Sequence, residues 1–511
     1  MFKRSLIFVH RWLGIALCLL FLIWFPSGIG MMYWGFPAVT TADRLERLPA
    51  LDPSKITLTP AEAWARSNSG DDMPRQVRLN SFDARPAYRF GGGGRGGGPI
   101  VYADTGEPQV AVSRFMVNRA AAAWTGRPVR EATVTRLEDV DQWTVGINLR
   151  NLRPVWKYSW PTGEQVYVSE ATGEVIQHTT RASRIGAYLG PIPHWLYFTP
   201  LRKNGPEWSK LVIWSSGIGT FAAILGLIVG AWMYSPSKRY RYEGAPSAIP
   251  YRGQKRWHMV LGLVFGVAAA TWAFSGMLSM DPFQTSGPGA GRGEGPNIPL
   301  ALRGRTDMTT FAAHDPREAL EKLDGLQVKE LELTTFAGEP VYLAHLGPDE
   351  TRIVPLSGEP RQAFNHQRII DVVTKAAGGV PVETRLIEQY DLYYLDRNRA
   401  RPLPVILAKL DDGRSSRYYI DPKTARVVGS YSSDDWVQRF AYNGLHSLNF
   451  PWLYNYRPLW DIVVITFMLG GTALCVTSLV LSWRVLGRKL RAIPGVPPRK
   501  TRVSEDLALA D

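Results

Sequence analysis

The eight histidines of this chain sort themselves by an internal match. His10 opens HRWLG and His258 opens HMVLG, and each is followed 18 residues later by the glycine of PSG (Gly28) or FSG (Gly276), an offset of 248 between the two copies. His194 precedes Trp208 by 14 residues and His446 precedes Trp460 by the same 14, an offset of 252. His178, His314, His345 and His366 have no histidine at the matching place and read as ordinary surface or loop residues. Neutral imidazole binds iron, copper or zinc, and a pair from facing helices supplies the two axial ligands of a haem. A structural zinc site would gather four ligands at one place, with Cys or carboxylates nearby, whereas here the ligands come two and two. Gly14 and Gly262 lie four residues past their histidines, one turn along the same helix face, where a missing side chain leaves room for a macrocycle. The expectation is two b-type haems, one held by His10 and His258 and one by His194 and His446. Bis-His ligation leaves no open iron position, which favours electron transfer over oxygen chemistry. The competing reading makes each of the four a hydrogen-bonded histidine at a helix end.

The elements that must position these residues are apolar. Runs at residues 12–34, 211–234, 257–280 and 460–483 are each long enough to cross hydrocarbon and almost free of charge. Mean hydropathy is only -0.12, so a large polar fraction coexists with them. Trp12, Trp34, Trp208, Tyr234, Trp257, Trp460 and Trp483 stand at their ends as interfacial anchors. The first run follows Lys3 and Arg4 but is too long for a signal peptide and has no small-residue cleavage site, so it reads as a retained helix. The net charge of +14 is no nucleic-acid footprint, because much of the basic excess sits beside membrane ends. Lys238, Arg239, Arg241, Arg252, Lys255 and Arg256 crowd one loop, and Arg484, Arg488, Lys489 and Arg491 follow the last run, which places both termini and that loop in the cytoplasm. Cys18 and Cys475 fall inside predicted helices, so there is no disulfide framework and no CxxCH for covalent haem. No Asp, Glu, Lys or Arg lies deep in a span, which argues against an ion transporter.

The expected fold class is an α-helical membrane protein, a four-helix transmembrane bundle with two α+β periplasmic domains, internally duplicated. Residues 1–35, 208–235, 257–280 and 458–484 are the membrane helices; 36–207 and 281–457 are the two exported domains; 236–256 is a cytoplasmic loop and 485–511 a cytoplasmic tail. Helix, exported domain, helix occurs twice, so the halves run parallel about an axis along the membrane normal. Thr105 in YADTGE matches Ser357 in VPLSGE, and Thr172 in SEATGE matches Thr424 in DPKTAR, where Ala425 replaces the turn glycine and puts that hairpin's turn type in doubt. Thr59-Pro60-Ala61-Glu62 and Asp315-Pro316-Arg317-Glu318 are capping signals, and Ser113 and Asn365 begin a second helix in each domain. VRLNSF, PIVYAD, KELELTTF and RYYID read as strands. The glycine-rich run 91–98 and the segment 286–297 read as flexible loops. Gly28 and Gly276, near the outer ends of the first and third helices, are expected to serve close helix packing, with clearance for the periplasmic macrocycle as the alternative, and Trp24, Trp214 and Trp272 are packing residues that could lie near an electron path.

HRWLG, IPHWLYF, WHMVLGLVFG, LHSLNFPW and the turns YADTGE and YVSEATGE together resemble the PepSY-associated transmembrane-helix family of bacterial iron-regulated membrane proteins, over nearly the whole chain. The resemblance implies PepSY-like periplasmic domains in an inner-membrane, multi-pass protein. It further implies a di-haem ferric-siderophore reductase, with haem-ligand positions at His10, His194, His258 and His446. Its partners would be the lipid bilayer, a ferric siderophore or other ferric chelate, and a separate electron donor, either a cytoplasmic reductase or a quinol, since no nucleotide fingerprint occurs. Because PepSY modules are named for a proposed protease-inhibitory role, a membrane-anchored binding or inhibitory module is the alternative.

Overall fold

The computed structural model describes residues 2–491, apart from 68–73, 75, 92–97, 148–151, 284–295, 305–307, 309, 312–313 and 397–398. Most of the expected loops 91–98 and 286–297, and the tail beyond 491, lie outside the described residues. Four helices are long and apolar enough to span a membrane: Phe2–Tyr33, Gly205–Met233, Gly253–Leu278 and Leu459–Leu490. The first starts ten residues ahead of the apolar run at position 12, and the fourth continues beyond Trp483 through Arg484 and Arg488. Hydropathy marks the stretch in hydrocarbon, while the backbone hydrogen-bond ladder runs on into the interface, where long cationic side chains reach water. Leu19, Trp214, Val264 and Leu469 are each more than half exposed, as side chains facing lipid would be.

The first and third helices each pack against both the second and the fourth. Small residues let the backbones approach. A Cβ on Gly219 would stand 2.5 Å from Phe21 Cζ, and one on Gly471 2.6 Å from the Phe25 ring, so each glycine is a socket for a phenyl group of the first helix. Pro26 lies inside that helix without ending it, and Ser27 Oγ donates nearby to the carbonyls of Ile23 (2.7 Å) and Trp24 (3.0 Å).

The two long connecting segments fold together at one end of the helices, the head side; the start of the first helix at Phe2, the end of the fourth at Arg491 and the loop 234–252 lie at the other, the terminal side. Their strands form one antiparallel six-stranded sheet in the order Thr351–Pro355, Glu339–His345, Glu330–Phe336, Gln76–Phe82, Arg85–Gly91, Ile100–Tyr102. The junction pairs Val77 with Leu333 and Asn80 with Glu330, so a continuous sheet crosses the boundary expected between the two domains. Each side of it is a tight hairpin whose two turn residues have positive φ, Asp83 and Ala84 in one and Ala337 and Gly338 in the other, the twist that two-residue hairpins require. Its core gathers Val77, Leu79, Tyr88 and Phe90 with Leu331, Leu333 and Tyr342 from the other segment.

Each segment then adds a four-stranded antiparallel sheet, spanning 133–179 in the first and 382–431 in the second. A capped helix covers each: Arg114–Thr125, whose Val117 and Ala121 pack on Tyr158, Val166 and Val168, and His366–Ala376, whose Ile369 and Val373 pack on Ile406, Ala408 and Ile420. Ser113 and Asn365 occupy the N-caps as expected. Thr59 and Glu62 close a reciprocal capping box, whereas Asp315 caps its helix through the Arg317 amide instead (2.8 Å). Ala425 adopts φ +53° where Gly173 has φ +67°, so the turn keeps its left-handed form despite the substitution.

Candidate functional site

His194 lies on the short helix Pro191–Trp195, and Leu196 after it takes a left-handed turn at φ +54° that redirects the chain toward the second membrane helix. His446 lies on Leu445–Ser447, followed by Leu448 at φ +48°. The fastening repeats as well: Trp208 Nε1 donates to the Trp195 carbonyl at 2.8 Å, and Trp460 Nε1 to the Ser447 carbonyl at 3.0 Å. Each histidine segment is thus clipped to the start of the following membrane helix. A Cβ on Gly30 would stand 2.4 Å from the Leu189 carbonyl oxygen, and one on Gly190 2.9 Å from the Gly30 carbonyl carbon, so bare backbones bring the His194 segment against the first helix.

The four sequence-selected histidines come together two and two. His194 and His446 stand with ring centroids 6.0 Å apart at the head side, and His10 and His258 stand 6.2 Å apart near the termini. A metal about 2 Å from one nitrogen of each of two opposed imidazoles sets their ring centroids roughly 6 Å apart. Hydrogen bonds decide which nitrogen is offered. His194 Nδ1 meets the Trp24 carbonyl (3.2 Å) and Ser27 Oγ (3.3 Å); His446 Nδ1 meets Ser275 Oγ (3.0 Å) and the backbone of Trp272. His10 Nδ1 lies 2.9 Å from the Ala222 carbonyl, and His258 Nδ1 3.2 Å from Thr477 Oγ1, with the backbone of Leu474 also in reach. A carbonyl can only accept, so Nδ1 carries the proton and Nε2 presents the lone pair a metal needs.

A cavity of about 440 Å³ surrounds the head-side pair, and one of about 620 Å³ the terminal-side pair. Both fall in the range of roughly 300–1,000 Å³ usual for cofactor pockets. Trp24, Trp272, Tyr442 and Met468 line the first, and Tyr442 stacks near His446 at 5.5 Å from a π-helix spanning Val437–Gly444. Trp214, by contrast, is 69% exposed and belongs to neither cavity.

Gly28 and Gly276 line the head-side cavity, and a Cβ on either would stand 3.5 Å from Cε1 of His194 or His446 respectively; at Gly28 it would also stand 3.1 Å from the Met468 thioether of the fourth helix, so packing and clearance meet at one glycine. Gly14 lines the terminal-side cavity, where a Cβ would meet Ser478 Oγ at 3.9 Å, whereas Gly262 lies outside that lining and its Cβ would meet Leu474 at 3.8 Å. Sequence reasoning missed Gly226, whose added Cβ would stand 2.6 Å from His10 Cε1. It also passed over Ser27 and Ser275, although both sit in the PSG and FSG motifs at the 248 offset. The remaining histidines are structural: His178 Nε2 bonds Glu164 at 2.9 Å, His345 lies 3.5 Å from Glu332, the His314 carbonyl accepts from Tyr342, and His366 opens a helix. Among the described residues no group of three or more His, Cys, Asp or Glu could share a metal ion.

Four apolar helices under a head of antiparallel sheets define a membrane protein with α+β domains, carrying one histidine pair toward each end of its helices. Residues 8–321 match the model of the PepSY-associated TM region, and the chain belongs to that family. No curated protein matches the chain.

Proposed function

We propose that this protein carries electrons across a bacterial inner membrane through two b-type haems and delivers them in the periplasm to a ferric chelate, most naturally a ferric siderophore. One observation carries the reading: two pairs of imidazoles, each about one metal-bridged distance apart and each with Nδ1 tied back, lie at opposite ends of the same four helices. In this reading the helices form a duplicated four-helix bundle, and positions 248 or 252 apart do the same work in both halves. Trp24 with Trp272, Ser27 with Ser275 and Leu196 with Leu448 are such equivalents.

The residues suit a macrocycle better than a bare ion. Each pair offers two nitrogen donors, whereas a bare zinc or iron site would require three or four protein ligands. Gly28 and Gly276 keep side chains out of the cavity beside the His194 and His446 rings, and Trp24 Nε1, buried beside the head-side cavity without a hydrogen-bond partner, could donate to a group bound there. Bound haem would supply a one-electron carrier at each pair. The protein's share is to hold Nε2 toward the iron, to keep the ring planes fixed through Ser27, Ser275, Ala222 and Thr477, and to exclude water with aromatic walls. Each ferric ion reduced takes one electron, so a quinol or reduced flavin on the cytoplasmic side, giving two, serves two ferric chelates. Hard oxygen ligands hold Fe(II) far less tightly than Fe(III), so delivery of the electron is the release step. The positive loop and tail support a cytoplasmic side for both termini and a periplasmic side for the sheets.

The test is an anaerobic visible spectrum of the purified protein, oxidised and reduced, with haem counted per chain. Two b-type haems are expected; His10→Ala or His258→Ala should remove one, and His194→Ala or His446→Ala the other. Haemless protein would overturn the reading and favour a membrane-anchored PepSY binding or inhibitory module. Reoxidation of the reduced protein by ferric chelates tests the acceptor.

A further inference from the structure

The two cavities differ in charge. Arg11, Arg252, Lys255, Arg484 and Arg488 all line the cavity of His10 and His258, and among the described residues no acidic one joins them. Among the described residues no charged side chain lines the cavity of His194 and His446. The five cations come from the first helix, the start of the third and its preceding residue, and the end of the fourth. Arg11 lies over the Phe8 and Trp12 rings and Arg488 Nε donates to the Arg484 carbonyl (3.1 Å); among the described residues none of the five makes an ion pair with a carboxylate. The positive-inside rule accounts for basic residues near these helix ends, but not for their convergence on one concave site that also holds two imidazoles. Like charges within a Debye length repel, so five cations around a cavity make a site for an anion.

We infer that this collar receives the carboxylate edge of the macrocycle held by His10 and His258, and thereby sets the reduction potential of the terminal-side site separately from that of the head-side site. The inference rests on the haem reading. Reduction adds one negative charge to a site, and nearby cations stabilise the reduced form, so removing cations makes reduction harder. At the head-side cavity there is nothing equivalent to remove.

Equilibrium redox titration of the whole purified protein tests this, with the two spectral components assigned beforehand through His258→Ala and His446→Ala. In the double variant Arg252→Gln/Lys255→Gln the terminal-side component should fall by a tenfold change in its reduction equilibrium or more, about 59 mV for one electron, or should lose its haem, while the head-side component stays in place. Arg484→Gln/Arg488→Gln should act in the same direction. Arg241→Gln, in the same loop but outside the cavity, should shift neither component. The inference is overturned if the terminal-side component keeps its potential and occupancy in both double variants, or if both components move together. A wild-type protein without haem would instead refute the haem reading, a distinguishable outcome.

Discussion

Glu332 offers the sharpest test of how the shared six-stranded sheet is tied to a helix and the four-stranded sheet of the second segment. It is buried on the strand Glu330–Phe336 of the shared sheet, and it accepts from Arg303 Nη2 at 2.8 Å and from Arg426 Nη2 at 2.6 Å to each carboxylate oxygen, with His345 Nε2 at 3.5 Å. Arg303 comes from the helix Ile298–Arg303, Arg426 from the strand Arg426–Tyr431 and His345 from the strand Glu339–His345, so with its own strand one carboxylate joins four elements. Burial alone would raise its pKa, but the His345 hydrogen bond and the Arg303 and Arg426 charges overcome burial and hold it well below the ordinary carboxylate range. Glu332→Gln removes the charge and leaves the Arg303 guanidinium, whose side chain is 17% exposed, without compensation; Arg426, at 42%, can recover water. Breaking a buried pair in this way costs about 3–5 kcal/mol, and the lower end applies because only one cation is stranded. For a unit of this size that is a melting-temperature drop of roughly 6–12 °C. Thermal unfolding of the whole protein in detergent, followed by intrinsic fluorescence, measures it. Glu332→Gln/Arg303→Met should recover most of the loss, since neither charge is then left alone. Because the folded pKa is depressed, the contribution is fully present above about pH 4.3 and is lost as pH falls toward the folded value, so wild type and Glu332→Gln should converge on acidification. A Glu332→Gln protein that melts with the wild type at neutral pH, or a double variant no better than the single, would refute the reasoning.

Gly226→Ala places a methyl group where His10 Cε1 lies 2.6 Å away, so the ring must retreat; the haem count should drop by one at the terminal-side pair, with the head-side signal intact. Gly30→Ala forces the His194 segment off the first helix, because its Cβ meets the Leu189 carbonyl at 2.4 Å, and should remove the head-side signal instead. Ala425→Gly relieves a left-handed alanine at φ +53° but also removes a methyl group buried in the core, effects of about 1 kcal/mol each in opposite directions, so the melting temperature should stay close to that of the wild type in the same assay.

The histidine pairing was legible because it rests on spacing, and spacing survives in a single sequence. His10 with His258 and His194 with His446 could be paired from their offsets before any coordinate was known. Strands such as KELELTTF and the N-caps Ser113, Asn365 and Thr59 were legible too, since their signals are local. What escaped was set by contacts distant in the chain. Nothing around Val77 or Leu333 announces that their strands pair, because edge-to-edge hydrogen bonding uses backbone groups common to all residues. Whether a glycine clears a cavity or packs against a neighbour depends on the facing helix, which is why spacing alone left both roles open at Gly28 and pointed to clearance at Gly262, a glycine outside the cavity lining. Asp315 shows the limit of a motif: the same four-residue spacing as at Thr59 yields a different hydrogen bond once the cap is a carboxylate beside an arginine.

Division of the chain in the loop between Met233 and Gly253 would give two polypeptides, each with a pair of membrane helices and a half-sheet ending in a bare strand, Gln76–Phe82 in one and Glu330–Phe336 in the other. Such edges seek a complementary backbone. Co-expressed fragments should therefore zip together at that seam and rebuild both imidazole pairs, since each pair draws one member from each fragment, whereas a fragment alone must self-associate through the seam or aggregate.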